Sequence, residues 1–235
     1  AKWPSRNLIQ QLYVLTNDGL SESEGDLDQS ISSPQDTGLT AGEYFPFTYG
    51  PELPDEQGED DKRSLVFDGE PLEDKDILDA PVVSLHFSSD QPQALLHVRL
   101  CDVFPDGRSA LITHGFLNLT HHGSHEDPKP LAPDKVYEAH VVLDQIAYQI
   151  PAGHRLRVAV STSSWPSVWP SPKQAAIRLT KGGMCIFFRP LSAGNECTFP
   201  EPEAAPAWRI ENIRKAHSTR TTERKEDGTV VLTIF

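Results

Sequence analysis

Short runs in which apolar and polar residues alternate, each bounded by turn residues, recur along most of the chain. A period of two is typical of a β-strand with one face in the core. The pattern predicts ten or so strands, turns every 8–12 residues and no substantial helix, so the expected fold is all-β, a jelly-roll β-sandwich. The predicted strands lie at residues 8–15, 65–67, 83–87, 96–100, 109–120, 136–143, 146–150, 156–160, 175–180, 184–188, 208–213 and 229–235.

Residues 144–172 carry the densest local signal. Two strand-like runs, 146–150 and 156–160, flank a Pro151–Gly153 turn. Proline fixes one backbone dihedral of a turn, and glycine permits a positive one. The segment therefore predicts a core hairpin. The pairs Trp165-Pro166 and Trp169-Pro170 follow it and predict a stiff aromatic surface loop, because proline excludes a helix there.

Other turn signals define further hairpins. Phe104–Gly107 contains Pro-Asp-Gly and predicts a long hairpin over residues 94–120. Lys181–Gly183 predicts a second hairpin, and Glu226–Gly228 a third. His86 and His97 fall on the polar phase of their strands, so both are predicted to be surface histidines.

Charge excludes one class of partner. The formal net charge is −13, whereas nucleic acid requires a basic face. Much of the negative charge lies in Glu22–Asp28 and Asp55–Asp61, and such blocks predict solvated loops. The apolar runs are too short to cross a bilayer, so no membrane contact is predicted.

The cysteine pattern does not suit a disulfide framework. The three cysteines, Cys101, Cys185 and Cys197, form no CxxC pair, and their number is odd. Cys101 and Cys185 lie in apolar strand patterns, which is typical of small core residues. These features favour a reducing compartment, and the cytoplasm is the expected location.

Catalytic and cofactor motifs are missing from the sequence. It contains no G-x-S-x-G, GxGxxG, Walker-type loop or HExxH, so no catalytic residue and no cofactor is predicted. The group with metal-ligand residue types lies in a Gly/Ser/Pro-rich loop, which does not preset ligand geometry as a helix would. We therefore predict no metal site there; its members are His121, His122, His125 and Glu126.

Two aromatic groups are candidates for contact with a partner. Trp165 and Trp169 could stack on a sugar, or they could pack on the end of their own sandwich. The run Tyr44–Tyr49 places four aromatic rings in a hydrophilic loop. Its rings could cover a sheet edge of this domain, or they could face another domain or a ligand.

Four motifs in the same order resemble one known module. The chain is similar to the C-terminal domain of the X-prolyl dipeptidyl peptidase and cocaine esterase family, the CocE/NonD hydrolases. The resemblance is carried by Ser64–Leu72, Arg99–Arg108, Gly115–His121 and Ile150–Arg157, and by the two Trp-Pro pairs that follow.

The resemblance implies a jelly-roll domain, similar to galactose-binding folds, that follows an α/β-hydrolase domain. The Ser-Asp-His triad would belong to that upstream domain, the expected partner of this chain, and homodimer formation is left open. Residues 1–63 would be a lead-in packed on the sandwich of residues 64–235, with one structural domain as the whole. By position, the resemblance makes Tyr44, Phe45 and Phe47 candidates for the wall of a substrate cleft.

A second function class stays open at this point. In that alternative the chain is a stand-alone carbohydrate-binding module that uses Trp165 and Trp169.

Overall fold

The computed structural model describes residues 8–42, 53–190, 200–206 and 219–234. Within these ranges it has fourteen strands, one four-residue α-helix and one short 3-10 helix at Leu119–His121. The elements are β1 Ile9–Thr16, β2 Gly19–Ser21, β3 Gln29–Ile31, α1 Gly58–Asp61, β4 Leu65–Asp68, β5 Lys75–Asp79, β6 Val82–Ser89, β7 Leu95–Val103, β8 Ser109–Asn118, β9 Tyr137–Val142, β10 Ile146–Ile150, β11 Arg155–Ser161, β12 Ile177–Arg189, β13 Arg220–Arg224 and β14 Val230–Ile234.

The chain divides into two compact units, residues 1–193 and 194–235. In the second unit, β13 and β14 form an antiparallel hairpin that turns at Gly228, which has a φ of +83°. The predicted strand at residues 208–213 lies outside the described residues. The predicted division at residue 63 stays a prediction.

The larger sheet of the first unit has eight strands and is built around β12. This strand pairs antiparallel with β1, β3, β5 and β6. The predicted hairpin at Lys181–Gly183 is wrong, because the chain continues through these residues as one thirteen-residue strand with a bulge between Leu179 and Lys181. The glycines serve close strand packing instead: a Cβ on Gly183 would lie 2.9 Å from the Tyr13 carbonyl oxygen.

The smaller sheet has four antiparallel strands in the order β4, β11, β7, β8. Its β7–β8 hairpin runs in register from Leu95 opposite Asn118 to Val103 opposite Ser109, with one bulge after Leu100. Gly107 closes the turn with a φ of +90°, and its amide donates to the Phe104 carbonyl at 2.9 Å. The long hairpin predicted over residues 94–120 is confirmed.

The predicted core hairpin at residues 146–160 is wrong. Strand β10 pairs with β5 in the larger sheet, whereas β11 pairs with β4 and β7 in the smaller one. The Pro151–Gly153 turn therefore carries the chain between the sheets. The connection between β4 and β5 holds this turn: Gly153 N donates to Leu72 O at 2.8 Å, and Ala152 N donates to Asp74 Oδ1 at 2.7 Å.

The core fills the space between the two sheets. It combines residues such as Leu85 and Ile186 from the larger sheet with Phe67, Leu100 and Val158 from the smaller one. Each large apolar side chain buried there contributes about 1.5–3 kcal/mol relative to exposure. The predicted β-sandwich is confirmed, and β6 alternates buried and partly buried residues as the period-two pattern predicts.

Every residue of β7 is buried, including those on the face that points away from the core. His97 is fully buried, so the prediction that it lies on the surface is wrong. Its ring stacks on Phe116 at 4.5 Å, and its Nε2 lies 3.1 Å from Nδ1 of His114. By contrast, the His86 side chain is 40% exposed, as its position on the polar phase predicts.

We expect Gly183→Ala to lower the free energy of unfolding by about 1–3 kcal/mol, because the added Cβ meets backbone that cannot move aside. Urea denaturation measures the change. Gly123→Ala is the control, since its Cβ meets nothing within 4 Å. Equal stability of the two variants would contradict the packing argument.

The buried histidine pair makes stability depend on pH. Burial first, then the charge of Arg99 and the proximity of His114, holds the pKa of His97 well below its usual range. Burial also lowers the pKa of His114, against the opposing charge of Asp144. In the unfolded chain both rings titrate near pH ~6.5. Below that pH the unfolded state binds more protons than the folded state, so acidification destabilises the fold.

We expect the free energy of unfolding to fall from pH 7 to pH 5.5 with a slope of up to about 1.4 kcal/mol per pH unit for each ring. Urea denaturation at several pH values measures the slope. His97→Gln should flatten it, whereas His140→Gln should not, because the His140 side chain is 58% exposed. The same slope in both variants would show that the buried ring is not the source.

Candidate functional site

Two segments, residues 36–42 and 53–57, flank residues 43–52; we call them the two limbs of the stem. Helix α1 holds the first limb through the carboxylate of Asp60. Asp60 Oδ1 accepts from Gly38 N at 2.9 Å, and Oδ2 accepts from the amide of Thr40 at 2.8 Å and from its hydroxyl. Asp60 is only 2% exposed, and these donors compensate the burial of its charge.

Gln57 joins the two limbs and ties them to the smaller sheet. Its side-chain Nε2 donates to the carbonyls of Thr40 and Asp55, both at 2.6 Å, and its backbone N donates to Ser109 O at 2.9 Å. Its Oε1 accepts from Arg99 Nη1 at 2.9 Å. Asp55 N also donates to Thr40 O at 2.9 Å. Direct hydrogen bonds therefore join residues 36–42 to residues 53–57.

A buried ionic cluster fastens α1 to the outer face of the smaller sheet. Asp61 lies between two guanidinium groups, 2.9 Å from Arg99 Nη2 and 2.8 Å from Arg157 Nη1. Arg157 also binds Asp68 through Nε at 2.6 Å and Nη2 at 2.8 Å, a bidentate pair. The hydrogen bonds that Arg157 donates to Asp68 and then to Asp61 raise the pKa of Arg157 above its usual range.

The prediction that the whole acidic block Asp55–Asp61 is a solvated loop is wrong at its end, where Asp60 and Asp61 are buried. The missed signal was the outward phase of the neighbouring strands. Arg99 and Arg157 occupy positions on β7 and β11 that require anionic partners once that face is covered.

The Trp loop, residues 162–172, lies directly against the stem. Trp165 N donates to Thr37 O at 2.7 Å, and Ser167 Oγ donates to Gly42 O at 3.2 Å. Gly38, at a φ of +116°, packs so closely that a Cβ there would lie 2.7 Å from Ser164 Cα. The structure thus brings together two segments that the sequence predicted separately.

The two tryptophans of this loop differ in exposure and are not coplanar. Trp169 is 82% exposed, whereas Trp165 is half-buried. Their rings meet edge to face, with centroids 5.5 Å apart and planes at 78°. Tyr44, Phe45 and Phe47 lie outside the described residues, so their part in a substrate cleft stays a prediction.

The histidine-rich loop does not gather its side chains around one point. His121 and His125 approach each other at 3.4 Å between Nδ1 atoms. His122 instead packs on Tyr137, with centroids 4.6 Å apart, and on the edge of Phe87. In the part of the chain that the structure describes, no group of three or more His, Cys, Asp or Glu side chains could hold a metal ion.

One Asp–His pair is built into the domain. Asp102 is 1% exposed; its Oδ1 lies 2.8 Å from His154 Nδ1, and its Oδ2 accepts from Tyr148 Oη at 2.8 Å. Burial, then the hydrogen bond to Asp102, raises the pKa of Tyr148. Among the described residues no serine or cysteine hydrogen-bonds to His154. The pair therefore ties His154, which follows the Pro151–Gly153 turn, to β7.

The solved structures similar to this chain include hydrolases of known fold. An aminopeptidase from a marine sediment Thaumarchaeota archaeon matches at 22% identity with a TM-score of 0.65, over 80% of this chain and 38% of that one. An alpha-amino acid ester hydrolase matches at 20% identity with a TM-score of 0.68, over 77% and 36%. A CocE/NonD family hydrolase from Staphylococcus aureus matches at 14% identity with a TM-score of 0.57, over 80% and 38%.

The chain thus spans less than two-fifths of the length of these hydrolases, and the likeness shows that it shares the fold of the matched part. The search of curated protein sequences found no match. Among the described residues no helix is long and apolar enough to cross a membrane.

The fold defines the first unit as a two-sheet antiparallel β-sandwich domain. The model of the X-Pro dipeptidyl-peptidase C-terminal non-catalytic domain matches residues 1–222, and the chain belongs to that family. The resemblance found in the four sequence motifs is thereby confirmed.

We expect Asp61→Asn to lower the free energy of unfolding by about 3–5 kcal/mol, because it leaves the guanidinium of Arg99 buried without a charged partner. Urea denaturation measures the loss. Glu59→Gln on the same helix is the control, since the side chains of Glu59 and Lys62 are 69% and 71% exposed. A loss no larger than that of the control would contradict the assigned role of the cluster.

Proposed function

We propose that this chain is the C-terminal accessory part of a CocE/NonD-type serine hydrolase that cleaves esters, amides or X-Pro peptides. The triad would lie on an α/β-hydrolase domain of the same polypeptide. The family match over residues 1–222 carries this proposal. The similar structures, an aminopeptidase, an alpha-amino acid ester hydrolase and a CocE/NonD family hydrolase, support it.

The role we propose for the domain is to present residues 43–52 to the substrate cleft. The loop begins and ends at limbs that Gln57 and Asp60 hold at fixed separation. A loop with fixed ends loses less conformational entropy when it binds than a free segment does. Tyr44, Phe45 and Phe47 are the side chains proposed to wall the cleft.

The Trp loop is the surface that we propose docks on the hydrolase domain. It lies against the stem, so the docking surface and the cleft loop share one support. Trp169 is 82% exposed, and large aromatic side chains are frequent anchors at the centre of protein interfaces. Docking there would fix the position of residues 43–52 relative to the catalytic domain.

The carbohydrate-binding alternative is not favoured. A flat sugar-binding platform needs aromatic faces that a ligand can reach. Here the ring planes of Trp165 and Trp169 stand at 78°, and only Trp169 is widely exposed.

Two further expectations remain proposals. Homodimer formation of the parent enzyme is one of them. Cytoplasmic location is the other, and the free thiols of Cys101 and Cys185 support it.

We expect Phe45→Ala combined with Phe47→Ala, made in the full-length enzyme, to lower kcat/KM by about 10- to 100-fold, because two apolar contacts with substrate are lost. Steady-state kinetics with ester, amide and X-Pro substrates measure the effect. Val136→Ala is the control, because it truncates an exposed apolar side chain of the sandwich that the proposal does not use. Unchanged kcat and KM in a folded double variant would end the proposal for this loop.

A further inference from the structure

The outer face of the larger sheet, which points away from the core, carries a row of apolar side chains. The strands that build it lie side by side in the order β1, β12, β6, β9. One side chain from each strand is in register with the next, and we call these four the outer row: Leu12, Cys185, Val82 and Val142. Each has a core residue next to it along its strand, so the outer row lies on the opposite face of the sheet.

The outer row has two high ends and a lower centre. Leu12 and Val142, at the ends, are 60% and 61% exposed and form two ridges. Cys185 and Val82, between them, are partly buried, and the next residue of β12 on the same face is Gly183, which has no side chain. Neighbouring strands lie about 4.8 Å apart, so a trough about 14 Å wide separates the ridges. A ridge of one copy can therefore enter the trough of a second copy related by a two-fold axis.

This face carries little negative charge, although the formal net charge of the chain is −13. Strands β1 and β6 contain no aspartate, glutamate, lysine or arginine. Strand β9 contributes one carboxylate, Glu138, and β12 contributes three cations. Two of these cations have carboxylate partners: Arg178 pairs with Asp28 at 2.6 Å, and Arg189 pairs with Asp76 at 3.3 Å. Two copies therefore repel each other less across this face than across the rest of an acidic surface.

The size of the face is close to the lower limit for a specific interface. Four strands about 4.8 Å apart and about 26 Å long cover roughly 500 Å². Two such faces together bury about 1,000 Å², whereas a stable interface typically buries about 1,600 Å². The face therefore suits a reversible dimer with a dissociation constant in the micromolar range.

We propose that the outer face of the larger sheet packs on the same face of a second copy to form a reversible two-fold dimer. The two sheets would lie about 10 Å apart, the usual distance between stacked sheets. The outer rows would meet in the interface and remove Leu12 and Val142 of each copy from water. This inference rests on the homodimer proposed above, for which it supplies the surface, and it is independent of the hydrolase role.

Sedimentation equilibrium of the full-length protein at about 1 to 100 µM tests the proposal. Val142→Glu places a carboxylate in the interface, where it is buried without a partner, and we expect it to weaken dimerisation at least about 10-fold. Leu12→Glu, at the other end of the outer row, should have the same effect. The matched control is Val66→Glu, because Val66 is an exposed valine on a strand of the smaller sheet. It should leave dimerisation within about twofold.

Thermal melting of each variant at low concentration verifies that it folds. Steady-state kinetics under the same conditions test the other possible occupant of the face, the hydrolase domain of the same polypeptide. Loss of the dimer with unchanged kcat/KM supports the proposal. The proposal fails if the wild-type protein stays monomeric at the highest concentration, if Val66→Glu weakens the dimer as much as Val142→Glu, or if Val142→Glu lowers kcat/KM of the monomer. A dimer without any hydrolase activity would contradict the proposed function and not this interface.

Discussion

The outer face of the smaller sheet depends on the ion pairs of Asp61. Its carboxylate lies between the guanidinium groups of Arg99 and Arg157, and all three side chains are largely buried. Removing one member of such a cluster leaves an uncompensated buried charge, which is far more costly than losing an exposed pair. The same turn of helix carries Gln57 and Asp60, so the seating of Asp61 also positions the hydrogen bonds that close the stem.

The cluster also explains why β7, in the middle of the smaller sheet, is covered on both faces. Antiparallel sheets commonly leave one face in water, and the polar outward phase of β7 suggested that arrangement. Instead, the outward polar side chains of β7 have polar partners. Arg99 contacts Gln57, Ser64 and Asp61 in and around α1, and His97 contacts His114 of β8. The outer layer of this sheet is thus held by directional polar contacts, whereas the inner layer is held by apolar packing.

Sequence periodicity was sufficient for the inner layer and insufficient for the rest. The alternation through Val83, Leu85 and Phe87 identified the strand and its buried face, because the side-chain period of a strand is fixed by its geometry. Periodicity does not encode which strands pair, however. Strands β10 and β11, separated by a good turn, join different sheets, and Leu72 and Asp74 accept hydrogen bonds from that turn. The family motifs located the Trp loop, but its contact with Thr37 and Gly42 arises only from tertiary folding.

The difference between apolar packing inside the sandwich and polar contacts on its outer face matters for how an accessory domain can act on a distant reaction. A cleft loop contributes to catalysis only if its geometry is reproducible to within a fraction of an ångström. Apolar packing fixes the sandwich, whereas the stem is held mainly by polar contacts. The buried carboxylates of Asp60 and Asp61 fix the position of the stem, because a charge that is satisfied in only one arrangement penalises every other. The acidic segment before β4 therefore holds residues 36–42 and 53–57 on the smaller sheet through directional contacts of Gln57, Asp60 and Asp61.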